Sequence, residues 1–188
     1  MNTRIHSLAA ALALLTSTLA AQAAGSLVVT PSDGTVDPGA SFALEVRGSG
    51  FVDAVVGGGF DLAFDPAVLQ LTAVGIDTGT WEFISSTGSI DNVAGTLSDV
   101  YFNSFKAMLP TGDFAVATLQ FLALDAGTST IRLMSNATFP FANDRAEVID
   151  VGYGSGLVTV AAVPEPAPLM LMSLGLATLV WRRRAARA

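Results

Sequence analysis

The stretch from Phe114 to Leu124, FAVATLQFLAL, constrains the fold more than any other part of the chain. Its apolar side chains recur with a period of two, as in a pleated strand, and carry no helical stripe. Read as one strand, it puts Phe114, Val116, Thr118, Gln120 and Leu122 on one face, with Ala115, Ala117, Leu119, Phe121 and Leu124 opposite or buried. Similar runs occur at Ser26–Thr30, Phe42–Arg47, Phe60–Phe64, Val68–Val74, Thr96–Phe105, Thr128–Met134 and Gly156–Val160. Breakers separate them, including the loop PSDGTVDPG, the Asp65-Pro66 pair and LDAG. Eight or nine short strands at this spacing specify an all-β fold. A β-sandwich is the expected architecture and a closed barrel the alternative. No repeat of 20–50 residues points to a solenoid or propeller.

The two ends differ from this middle. Hydrophobic residues make up 51% of the 188-residue chain and mean hydropathy is +0.56. Two terminal apolar segments account for much of that. Arg4 and His6 precede an apolar run from Leu8 to Leu19, and Ala21-Gln22-Ala23 forms an A-x-A cleavage site. Residues 1–23 therefore read as a secretory signal peptide, leaving 24–162 as the exported domain. At the other end, residues 163–188 run VPEPAPLMLMSLGLATLVWRRRAARA. Prolines cannot continue the last strand. The apolar run Leu169–Trp181 is shorter than the ~20 residues of a comfortable membrane helix. Arg182, Arg183 and Arg184 follow as a basic stop on the cytoplasmic side.

Charge and composition then exclude whole classes of function. Residues 24–163 hold four bases (Arg47, Lys106, Arg132, Arg145) and all acids but Glu165, a net 4 − 15 = −11. A body this acidic repels phosphate backbones, so nucleic acid is not an expected partner. Cysteine is absent, and the single histidine, His6, leaves with the signal peptide. Ser-His-Asp catalysis, a cysteine nucleophile and a zinc site built on those ligands all fall away. Paired-carboxylate chemistry survives on composition alone, but no two acids are marked as facing each other. The expectation is a protein that is not an enzyme.

Two resemblances give these features names. Val163, Pro164, Glu165 and Pro166, with the apolar helix and arginine clump behind them, look like the PEP-CTERM sorting signal of Gram-negative bacteria. That resemblance implies export through the inner membrane and a C-terminal helix that holds the membrane at least transiently. It also implies recognition by an exosortase-type processing enzyme, and delivery to the cell envelope, outer surface or extracellular matrix. The order GGGFDLAFDPAVLQLTAVGI, GDFAVATLQFLALDAGTSTIRL and FPFANDRAEVIDVGYGSGLVTV resembles a cohesin domain. This implies a jelly-roll sandwich of about nine strands, related to carbohydrate-binding modules. Cohesins grip dockerins on one sheet face, using polar residues just before the aromatic of the strand that ends in Asp-Pro. Here that place holds Gly57, Gly58 and Gly59, whose backbone freedom predicts a bulge or loop.

The candidate binding residues are Trp81, Phe83 and Tyr101. Trp81 with Phe83 could form a platform on which a sugar ring stacks, but burial of Trp81 between strands is the favoured reading. Tyr101, Phe102 and Phe105 share a strand whose alternation favours burial. Asp61, Asp65, Asp91 and Asp99, with Asn92 nearby, offer the hard oxygen atoms calcium prefers, against a reading as solvated turn acids. None shows the spacing of an EF-hand loop. Asn136-Ala137-Thr138 fits a glycosylation sequon. Together these point to an exported binding protein that contacts extracellular polysaccharide. Docking of a surface protein is the alternative, and a carboxylate enzyme the third reading.

Overall fold

The computed structural model describes residues 23–162. The signal-peptide and C-terminal sorting segments expected above lie outside the described residues. Twelve strands form: β1 (Ser26–Thr30), β2 (Asp33–Val36), β3 (Ser41–Phe51), β4 (Val55–Ala63), β5 (Leu69–Ile76), β6 (Ile84–Asp91), β7 (Thr96–Asn103), β8 (Gly112–Ala123), β9 (Gly127–Ser135), β10 (Ala142–Asn143), β11 (Gly152–Tyr153) and β12 (Ser155–Val160). Nine of them have five residues or more, and no helix occurs among the described residues. The expected all-β sandwich of about nine strands is therefore observed.

One sheet runs β11-β1-β3-β8-β5 and the other β2-β12-β9-β4-β7-β6, with β10 added beside β4. Neighbouring long strands pair antiparallel, as β1 with β3 and β4 with β7. The inner faces meet in one core. Leu27, Leu44, Val46, Leu119 and Phe121 come from the first sheet, and Phe60, Leu62, Leu97, Val100, Ile131 and Leu133 from the second. All are essentially inaccessible. Along β3 the alternation is direct: Leu44 and Val46 point in while Glu45 faces solvent. This burial is the main stabilising term in a chain that has no cysteine to crosslink it.

Three departures from the sequence reading have physical causes. The buried face of β8 changes parity: Phe114 and Val116 are buried, then Ala117, Leu119, Phe121 and Ala123. The cause is a bulge, since Val46 pairs with Ala117 but Arg47 pairs with Ala115, leaving Val116 extra. Secondly, Gly57–Gly59 are neither a bulge nor a loop. They lie within β4 and are buried, paired to Asn103, Phe102 and Tyr101. Finally, β6 and β2 are strands that the apolar pattern does not announce. β6 reads ISSTGSID, an edge strand with little to bury.

Candidate functional site

The outer face of the larger sheet carries an open groove of about 440 Å³, lined by Gly57, Phe83, Ile84, Tyr101, Phe105 and Phe139 among others. Its floor exists because β4 has no side chains there. β9 ends at Ser135, opposite Phe60, so the chain from Asn136 to Phe141 runs alongside the uncovered edge of β4. That segment straddles the sheet. Phe139 lies outside, stacked on Tyr101 with ring centroids 4.3 Å apart. Phe141 turns inward against Phe102 and Phe51. A Cβ at Gly58 would stand 2.6 Å from the Phe141 ring, and one at Gly59 would stand 2.7 Å from Cβ of Phe139. The glycines are a condition of close approach on both faces, not a source of flexibility.

The rim is made by two loops held together by Glu82. Its carboxylate accepts the Ser104 hydroxyl at 2.8 Å and the Phe105 N–H at 3.0 Å. Desolvation pushes this carboxyl up, but the N–H groups of Glu82 and Phe105, the Ser104 hydroxyl and the Lys106 charge outweigh it. The net result lies below the usual range. The Lys106 ammonium also donates to the Gly79 carbonyl. This clasp sets Phe83 edge-on to Phe105, centroids 4.5 Å apart and planes at 76°. Phe83, Phe105 and Ile84 remain 56%, 64% and 51% exposed. At the groove wall, Asn103 Oδ1 is buried without a hydrogen-bond partner.

The sequence candidates separate accordingly. Trp81 is 1% exposed, packs on Phe102 and Phe114, and donates its indole N–H to the Ala115 carbonyl at 2.9 Å. It is core and cannot serve as a sugar platform, because its faces are covered. Phe83 and Tyr101 do line the groove. Phe105, expected to be buried, is exposed because it lies just beyond the end of β7. Sequence reasoning assigned no role to Phe139, Ile84, Asn103 or Glu82. The Phe-Pro-Phe run at 139–141 is the one local signal that could have drawn attention to the straddling segment.

Of the four aspartates weighed as calcium ligands, the structure brings two together. Asp61 Oδ1 accepts the backbone N–H of Asp99, which sits at φ 60° in a bulge of β7. The Asn136 amide bridges both carboxylates, at 2.8 and 3.1 Å. Burial, helped by the charges of Asp150 and Asp61, pushes the nearby Tyr153 hydroxyl up to about 12. Asp65 and Asp91 lie apart and cap turns, accepting N–H groups of Ala67, and of Val93 and Ala94. Asn92 instead ties its loop to Leu71 through both amide atoms. Among the described residues no three acids gather as metal ligands would. Asn136 is 5% exposed with its side chain engaged, so the sequon is not presented for glycosylation.

Residues 162–184 match the family model for the PEP-CTERM protein-sorting motif. The sandwich resembles solved cohesins. CaCohA2 from Clostridium acetobutylicum superposes with a TM-score of 0.57 at 22% identity, covering 74% of this chain and 92% of that one. A cohesin from Clostridium thermocellum, solved in a type I cohesin–dockerin complex, gives 0.56 at 12%, covering 73% and 99%. The chain carries a PEP-CTERM sorting motif behind a cohesin-like fold. A non-cellulosomal cohesin from the archaeon Archaeoglobus fulgidus gives 0.57 at 11%, covering 73% and 91%. No curated protein matches the chain. The motif marks this cohesin-like protein for export and envelope sorting.

Proposed function

We propose that the chain is an exported, envelope-sorted binding protein whose groove receives apolar side chains of a protein partner, and that it performs no chemistry of its own. The observation that carries this is the exposed Phe83–Phe105 pair with Ile84 beside it, held in place by Glu82. Soluble surfaces rarely keep such aromatic clusters without a use. Edge-on rings present a wedge-shaped gap instead of a flat face, which suits an aliphatic or aromatic side chain better than a pyranose. A similarly folded cohesin from C. thermocellum, solved in complex with a dockerin, supports a protein partner.

Contact with extracellular polysaccharide is the second reading. Tyr101, half-buried in the groove wall, favours it, because its hydroxyl can hydrogen-bond a sugar hydroxyl. Retention of the full chain on envelope polysaccharide and on envelope protein separates the two. Protein retention lost in Phe83→Ser and Phe105→Ser supports the leading reading. Glycan retention lost in Tyr101→Phe would transfer the groove to polysaccharide. The processing enzyme implied by the sorting motif is a separate partner that would engage Val163–Pro166, not the groove.

A further inference from the structure

Ala161, at the C-terminal edge of the described residues, and the groove lie at opposite ends of the sandwich. Val160 is level with Val36 on β2 and Gly127 on β9, and the Ala161 N–H is tied to the Val36 carbonyl. From Gly127, β9 runs nine residues to Ser135, level with Phe60 on β4. Gly57, in the groove floor, lies three residues further along β4. At roughly 3.3 Å per residue, less some twist, the groove stands about 30 Å from where the tail leaves. The apolar run at Leu169 begins eight residues after Ala161, a reach of at most ~28 Å, which is too short to turn the body over and set the groove against the lipid.

Neither end of the body is basic: the groove end holds Asp53, Glu82, Asp144, Glu147 and Asp150 against Lys106 and Arg145. The loops at the tail end, between β2 and β3, β4 and β5, and β8 and β9, carry Asp37, Asp65 and Asp125, and Asp91 closes β6 at that end. None of these loops holds a Lys or Arg. Lys106 and Arg145 lie in loops at the groove end, and Arg47 and Arg132 lie within strands. Anionic headgroups therefore repel the nearest part of the body and leave no basic patch on which it could lie down.

We infer that, while its sorting tail still holds the membrane, the sandwich stands with its tail end toward the lipid and its groove facing away, open to a protein approaching from outside. Partner capture then does not wait for processing, and the membrane-held and released forms bind alike. This rests on the binding and sorting readings above.

The absence of cysteine makes the test clean. Single cysteines are placed at Met108, 87% exposed in the loop after β7, and at exposed Ala126, between β8 and β9. The exported chain, freed of residues 1–23, is inserted into vesicles of phosphatidylethanolamine and phosphatidylglycerol, and modification by a polyethylene-glycol maleimide is timed against the same protein in detergent. Met108→Cys should react at the same rate in both settings, and Ala126→Cys several-fold more slowly in vesicles. Slowing of Met108→Cys, or no slowing at either site, overturns the orientation. Failure of the chain to float with vesicles overturns the membrane-held state itself, and so is distinguishable from a wrong orientation.

Discussion

Gly58 has no side chain because the Phe141 ring already occupies the place where one would begin. Inserting a methyl group there forces a well-packed ring off its rotamer, so Gly58→Ala should destabilise by ~1–3 kcal/mol. Trp81→Ala should cost more, about 3–5 kcal/mol, because it empties a covered site and orphans the Ala115 carbonyl. Phe83→Ala, at an exposed ring, should stay within about 0.5 kcal/mol. Denaturant titration of the three variants checks the series, and a large loss for Phe83→Ala would show that the rim is structural. None of the three contrasts is visible in sequence. Trp81 and Phe83 are two residues apart, and only the folded chain shows that one is covered and the other bare. Gly57–Gly59 look like freedom, yet the reason for them is Phe139 and Phe141, some eighty positions away.

At the scale of elements, the sequence is readable wherever one face of a strand is buried. β1 agrees end for end with the apolar run, and β3, β5, β9 and β12 agree within a few residues. The pattern fails where burial is absent or the pleat is interrupted. β6 pairs only with β7 and exposes most of its side chains, so nothing selects an apolar alternation in ISSTGSID. β2 hides among breakers because it is a short parallel addition at the edge, beside β12. The bulge at Val116 hands the core face of β8 from even to odd positions, which no single period can describe. Edge strands open first, so hydrogen exchange should be fast across Ile84–Asp91 and slow across the β3–β8 pair. Equal protection of both would mean that another surface covers β6.

The folded body is acidic overall, with the groove at one end and Ala161, tied to β2, at the other. Its acids also set its stability against pH. The Asp91 carboxyl is held below the usual carboxylate range by the N–H groups of Ala94 and Val93, Asp113 by the Gly50 N–H and Ser49, and Glu147 by Asn143 and Arg145. Carboxyls lowered in the folded state contribute stability above their unfolded values of 3.8 and 4.5. That contribution is lost as pH falls through the lower folded values. The melting temperature should therefore hold above about pH 5 and drop steadily below about pH 4. A flat profile through that window would remove these turn-capping carboxylates from the stability account.

The central claim is that the Phe83–Phe105 groove is a protein-docking site. A photo-crosslinking amino acid in place of Phe105, in the full chain exported by live cells, tests it most directly. The same residue in place of Val93, 92% exposed in the tail-end loop between β6 and β7, serves as the control. The account predicts one discrete protein adduct from position 105, absent from position 93 and abolished by Phe83→Ser. Adducts to glycan or lipid alone, or the same adducts from both positions, would contradict it.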